Sequence, residues 1–433
     1  MLTTSIIAII TCILLIVSVL FLPKIKIRTR EIHTYWIVCL IGAIFMLIFN
    51  DISFKDIYQS FTSHSNINPI KILILFFSMT LLSIFLDEVG FFKLLATNAA
   101  HLAKKSQIKL FIILYILTSL LTIFTSNDIV ILTFTPFICY FCKNAHIDPK
   151  PYLVGEFAAA NTWSMMLIIG NPTNIYLATA ANIDFISYLK VMLVPTLLAG
   201  IVQLAIIYLL FRKKLNIAMN SDFEEHISND KLEIGVGLFH LIICLLLLVI
   251  SSYINIPMWI ISLVCAISLF IIATIISLIN KKGFKHLIST LKRAPYELIP
   301  FVLSMFVIVA AINKQNISGH LSKLLENGNP IFAYGLSSFL MSNVMNNIPM
   351  SVLFSTLPNM SNSLNSLRAT YATIIGSNIG AFLSPIGALA GIMFTQLLNK
   401  YDVDYGFKTF IKYGFIVAIP TLLTSLLMLF IIL

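Results

Sequence analysis

Long apolar stretches separated by short basic loops run the whole length of this chain. Among them are Ser5–Leu22, Pro257–Ile279 and Tyr413–Leu433. Each is close to the length of roughly 20 residues that an α-helix needs to span a hydrocarbon core. Membrane strands would alternate every second residue, and runs such as Leu241–Ile250 show no alternation. The pattern predicts an all-α polytopic membrane protein with about 10–12 membrane segments. The first stretch lacks a basic leader and is followed by Pro23-Lys24-Ile25-Lys26 rather than a small-residue cleavage site, so it reads as a retained helix.

The polar interruptions repeat. Ser126-Asn127-Asp128 breaks one apolar stretch, and Ser342-Asn343-Val344-Met345-Asn346-Asn347-Ile348-Pro349 breaks another in the second half. Ala158-Ala159-Ala160-Asn161 leads to Gly170-Asn171-Pro172-Thr173-Asn174, and Gly376-Ser377-Asn378-Ile379-Gly380 leads to Leu383-Ser384-Pro385-Ile386-Gly387. The step from Ser126 to Ser342 is nearly the step from Pro172 to Pro385. Two features sharing nearly one offset point to a duplication, the usual plan of a secondary transporter. The expected organisation is a first helix and cytoplasmic loop (1–34), a first repeat (35–214), a central cytoplasmic linker (215–233) and a second repeat (234–433).

Charge sets the sidedness. Only 11% of residues are charged, with a formal net charge of +10, against roughly 25% in soluble domains. Mean hydropathy is +0.96. The basic residues concentrate in loops at Lys24–Arg30, Lys93–Lys109, Arg212–Lys214 and Lys281–Arg293, which the positive-inside tendency assigns to the cytoplasm of a plasma-membrane protein. Nucleic acid is not the partner this charge implies. Both termini then come out external. The loop Lys314–Asn329 falls outside, whereas its counterpart Lys93–Lys109 falls inside, so the two repeats are inverted.

Breaks at membrane depth expose backbone groups that hydrocarbon cannot satisfy, and survive only when buried in protein or lining a polar cavity. Re-entrant hairpins and broken helices are therefore expected at Gly170, Pro172, Pro349, Pro385 and Gly387. The surrounding side chains are candidates for a substrate or ion pathway: Ser126, Asn127, Asp128, Asn161, Asn171, Thr173, Asn174, Asn343, Asn346, Asn347, Ser377, Asn378 and Ser384. A single Asn or Ser in a membrane helix can serve interhelical bonding alone; the recurrence in both halves favours the pathway. Ionisable groups at depth are the sharper signal. Asp128 adjoins a break and is the first coupling candidate, its alternative being a cap on the following helix. Glu156, soon after Pro151, is the second, its alternative being an interfacial position. Asp87 and Glu88, at a membrane edge, read as structural.

Enzyme signatures are missing: no HExxH, no GxSxG beside a plausible His and no Walker loop. No cofactor or metal is called for. The six cysteines mostly sit in apolar segments and read as free thiols, with Cys139-x-x-Cys142 a weak soft-ligand signal. Uphill transport would then use an ion gradient or a separate ATPase subunit. A channel is the other class, favoured by one filter per subunit rather than by a duplication.

The residues resemble the arsenite efflux permeases, within a superfamily that includes sodium/proton antiporters and dicarboxylate carriers. The resemblance rests on Leu86-Asp87-Glu88-Val89-Gly90-Phe91-Phe92, on Ser126-Asn127-Asp128 with Leu132-Thr133 and Thr135-Pro136, on Met345-Asn346-Asn347-Ile348-Pro349, and on Ile375-Gly376 leading to Ser384-Pro385-Ile386-Gly387. It implies export of arsenite or antimonite driven by the proton gradient or membrane potential, alone or with an ATPase subunit. Homodimers occur among such relatives. Asn127, Asp128, Asn346 and Asn347 would line the pathway, with Asn171 and Asn174 at the first core break. Asn161 and Asn378 stand where the resemblance leads one to expect Asp. Gly170-Asn171-Pro172-Thr173-Asn174 looks closer to the anion and sodium-coupled branches, which keeps an ion-coupled anion carrier or a sodium/proton antiporter as the alternative.

Overall fold

The computed structural model describes residues 1–433 except 23, 28–29, 63–67, 220–230, 252, 282, 327 and 358–362. The expected central linker falls largely on 220–230, outside the described residues.

Among the described residues, the helices before the linker are α1 (Leu2–Phe21), α2 (Tyr35–Ile48), α3 (Phe54–Thr62), α4 (Pro69–Glu88), α5 (Phe91–Ala103), α6 (Gln107–Phe124), α7 (Asn127–Asn144), α8 (Lys150–Trp163), α9 (Pro172–Ala180) and α10 (Phe185–Leu215). After it come α11 (Lys231–Val249), α12 (Met258–Ile279), α13 (Lys285–Arg293), α14 (Leu298–Lys314), α15 (Ile317–Glu326), α16 (Pro330–Met345), α17 (Asn347–Phe354), α18 (Ser363–Gly380), α19 (Leu389–Lys400) and α20 (Phe407–Ile432). Eight described helical spans are long and apolar enough to cross a membrane. The chain is a multi-pass, all-α membrane protein. A small hairpin of β1 (Lys24–Ile27) and β2 (Arg30–His33) sits in the first basic loop, which the hydropathy pattern did not suggest.

Helix starts follow capping chemistry. Asn-Pro opens α4, α9 and α16: Asn68, Asn171 and Asn329 accept from Ile70 N (2.9 Å), Thr173 N (3.1 Å) and Ile331 N (3.0 Å), while Pro takes a position whose N–H has no helical partner. Asp184 caps α10 through Ile186 N and Ser187 N, both 3.0 Å.

Partner exchange relates the halves. Helix α2 packs on α14 as α12 packs on α4, and α7 packs on α19 as α17 packs on α9. Helices α16 and α18 approach so closely that a Cβ on Gly376 would lie 2.1 Å from Ser338 Oγ and 2.3 Å from Gly335 O. Small residues permit such approach in membrane helices.

The halves are inverted, as side-chain contacts at the two faces show. On one face Gln107 Nε2 donates to Ile217 O (2.9 Å), Lys214 pairs with Asp148 (2.5 Å) and Tyr152 donates to Gln107 Oε1 (3.0 Å). The start of α6 and the ends of α7 and α10 therefore share that face, and α6–α7 is a re-entrant hairpin. His33 pairs with Glu297 (2.5 Å), and Arg293 with Asp87 (2.7 Å), on the same side. The described residues of all four basic loops lie there. At the opposite face Tyr371 donates to Ser187 O (3.3 Å), Arg368 reaches Leu433 O, Lys314 pairs with Asp56 (2.6 Å) and Met1 N donates to Gln315 Oε1 (3.1 Å). The hairpin α16–α17 opens to this second face.

Candidate transport site at the helix breaks

Each half holds one hairpin tip and one broken helix. In the first half Thr125 and Ser126 are extended between α6 and α7. Helix α8 ends in two short 3-10 turns, Ser164–Met166 and Ile168–Gly170, before α9 resumes. Asn127 Nδ2 donates to Asn161 Oδ1 (3.2 Å), joining tip to broken helix. Carbonyls freed by the break are recovered locally, because Asn174 Nδ2 donates to Ser164 O (2.8 Å) and Leu167 O (3.2 Å). Gly170 is required here: a Cβ would come 2.2 Å from Ser164 O. Thr173 Oγ1 donates to Asn171 Oδ1 (3.1 Å).

The second half solves the same problem differently. Asn346 takes φ 71° and ψ 152°, a backbone conformation outside the αL well that a non-glycine residue keeps only where its surroundings hold it. Its Nδ2 donates to Ile386 O (3.0 Å), and Asn347 N donates to Gly387 O (2.9 Å). Asn343 Nδ2 donates to Gly380 O (3.0 Å), while its Oδ1 accepts from Ser384 (2.6 Å). Pro385 and Gly387 lie in the turns between α18 and α19. Pro349 sits in the first turn of α17, where its missing N–H has no helical acceptor.

Asn378 ties the halves together. Its Oδ1 accepts from Ser164 Oγ (3.0 Å) and Asn171 Nδ2 (3.1 Å); its Nδ2 donates to Asn174 Oδ1 (2.6 Å) and Ile374 O (2.8 Å). Three buried polar atoms at the breaks have no partner among the described residues: Ser126 Oγ, Asn127 Oδ1 and Ser377 Oγ. Native interiors leave few such atoms, and these line both halves of one polar seam. The segments 126–142, 151–189, 330–367 and 369–399 contain no Lys, Arg or His.

Among the described residues, the two carboxylates make no hydrogen bond to the amide cluster. Asp128 occupies the first turn of α7, and α7 carries no side-chain cap bond. No described residue donates to its carboxylate. Glu156 is buried in α8, one helical turn and one residue before Asn161, and both its oxygens accept from Thr135 Oγ1 at 3.0 Å. Thr135 and Ser164 went unnoticed as partners. Ser164 could have been found three residues after Asn161, where a helix returns to the same face.

A cleft of about 360 Å³ opens at the face carrying Met1 and Leu433, between Lys71 and Leu75 of α4, Asn182 and Asp184 before α10, and Trp259 of α12. Ile72 separates it from an apolar constriction of about 20 Å³ that reaches Pro172 at the first core break and Ile348 at the second hairpin.

The citrate transporter model (CitMHS) matches residues 13–367. The chain belongs to this family. Among curated relatives, the arsenical pump membrane protein of Escherichia coli K12 is 27% identical over 371 residues, covering 81% of this chain and 84% of that protein. The putative arsenical pump membrane protein of Bacillus subtilis is 25% identical over 416 residues, covering 89% and 91%. The crystal structure of the YdaH transporter of Alcanivorax borkumensis, reported for its unusual topology, superposes with TM-score 0.58 at 12% identity over 99% of this chain and 98% of that one. At that identity it supports the fold alone. This CitMHS-family chain is therefore a membrane transporter of small ions or solutes.

Proposed function

We propose that this CitMHS-family member exports trivalent arsenic or antimony as the neutral hydroxide. The observation that carries the reading is a site of amides and hydroxyls, spanning both halves, with no cationic side chain in any of its four segments. A trihydroxide asks for neutral donors and acceptors, which Asn127, Asn161, Asn171, Asn174, Asn378, Ser384 and the unpaired Ser126 and Ser377 hydroxyls supply. Burying a multiply charged anion such as citrate without a counter-charge costs far more than the helix ends offset. The arsenical-pump relatives agree with this choice. By the positive-inside tendency the basic face is cytoplasmic, and both described chain ends lie outside. Asp128 is the coupling group, proton-driven. A separate ATPase subunit and a homodimer are compatible extensions.

The second reading is an ion-coupled anion carrier. It is favoured by the family's description and by two helices, α7 and α19, that begin at the breaks without a side-chain cap on their first N–H groups. Everted membrane vesicles separate the two. Energised vesicles are expected to accumulate arsenite but not citrate, and to stop when the proton gradient is collapsed. Citrate uptake, sodium-dependent or not, without arsenite uptake would overturn the proposal. Arsenite flux that ignores the gradient would identify a channel.

A further inference from the structure

Asp87 ends α4 at the basic face, with its side chain only 9% exposed. One carboxylate oxygen accepts from Thr133 Oγ1 at 2.7 Å, and the other pairs with Arg293 Nη2 at 2.7 Å. Arg293 simultaneously holds Glu88 through Nη1 at 2.5 Å. The three elements joined here differ in kind. Helix α4 crosses the membrane, α13 comes from the second half, and α7 is the arm of the first hairpin whose tip carries Asn127 and Asp128. Thr133 lies further along that same arm, so the bond restrains the element that presents the site.

The mirror position lacks this link. The offset that carries Ser126 onto Ser342 carries Thr133 onto Pro349, which has no hydroxyl. Asn313, in the last turn of α14 as Asp87 is in that of α4, leaves a buried Oδ1 with no described partner. The ion pair there, Lys314 with Asp56, joins α14 to α3 but not to a hairpin. The open cleft of about 360 Å³ lies at that second face. One face is therefore tied to its hairpin by this link, and the cleft opens at the other.

We infer that Asp87, Arg293 and Thr133 form a latch that holds the first hairpin against α4 at the basic face, and that it must open for solute to pass to that side. The carboxylate is a positioning group; nothing requires it to touch the solute. A charge-assisted hydrogen bond is stronger than a neutral one, and its buried setting makes the arrangement two-state, because a half-broken latch strands a buried carboxylate. This inference needs only that the chain transports by alternating access and is indifferent to the solute.

The test uses Ile129→Cys in the full-length protein in everted vesicles. Position 129 is buried one helical turn from Thr133, and Thr133 Oγ1 also contacts its carbonyl at 2.9 Å. A membrane-impermeant maleimide is added at the basic face, and the adduct at 129 is read by peptide mass spectrometry. Thr133→Val and Arg293→Gln are each expected to raise the labelling rate roughly tenfold or more, while Thr133→Ser, which keeps the hydroxyl, leaves it near the parent rate. Lys314→Gln, at the mirror pair, should not raise it. The inference is overturned if Thr133→Val labels no faster than Thr133→Ser, or if Lys314→Gln raises the rate equally. If Arg293→Gln does not fold, the Val and Ser pair at 133 decides alone. Arsenite transport can fail without touching this result, and unchanged labelling leaves the substrate proposal standing.

Discussion

Replacing Asn378 by Ala should be costly in a way its size does not suggest. The substitution removes only a carboxamide, but three hydrogen bonds from that group cross between the halves: from Ser164 Oγ (3.0 Å), from Asn171 Nδ2 (3.1 Å) and to Asn174 Oδ1 (2.6 Å). Ser164 Oγ keeps Asn161 O at 2.8 Å as an alternative acceptor. Asn171 Nδ2 and Asn174 Oδ1 have no other described partner and become stranded in a buried site. Interhelical hydrogen bonds in membranes average about 0.6 kcal/mol, which sets a lower bound of about 2 kcal/mol for three. Stranded buried groups cost about 1–3 kcal/mol each, so with two of them the loss should fall at about 2–6 kcal/mol. Equilibrium unfolding of the purified protein in mild detergent would measure it, beside Ser377→Ala as the neighbour control. Ser377 Oγ has no described partner, so its removal should cost less than about 0.5 kcal/mol or stabilise slightly. A loss at Asn378 no larger than at Ser377 would refute the bridging role. Arsenite flux should fall with Asn378→Ala, because the seam between the halves is also the proposed solute site.

Further expectations follow from single contacts. Asp128→Asn should leave folding intact while removing the pH dependence of arsenite flux in vesicles; a pH profile unchanged from the parent would end its coupling role. Glu156→Gln keeps an acceptor oxygen for Thr135, so it should keep that pH dependence; loss of the pH response here would move the coupling site to α8. Gly376→Ala drives a methyl into Gly335 O, which cannot swing away, and should cost about 1–3 kcal/mol in detergent unfolding. Gly235→Ala, where a Cβ meets nothing within 4 Å, should be neutral or raise stability by up to about 1 kcal/mol.

Much of the candidate site was legible in the sequence. Asn161, Asn171, Asn174 and Asn378 stood out because polar residues at membrane depth are expensive and need a reason. Their pairing was not legible. Asn378 bonds to the first half's break rather than to its own hairpin, while Asn343 bonds to Ser384; a duplication suggests symmetric partners, and packing chose otherwise. Asp87 and Glu88 read as an ordinary membrane edge because their partners, Thr133 and Arg293, lie 46 and 205 residues away.

The sequence alone determined the class, the breaks and the repeat, because each is a one-dimensional property. Hydrophobic length fixes what can span a bilayer, and Gly, Pro and Asn fix where a helix must stop. That the basic loops share one face was also within reach, and opposite-facing loops imply inversion. Only the tertiary structure decided which amides meet, which hydroxyls stay unpaired, and which face is tied to a hairpin. Those depend on how two inverted halves dock. Docking is governed by shape and by buried polar satisfaction between residues far apart in the chain, as the 2.6 Å bond from Asn378 to Asn174 shows.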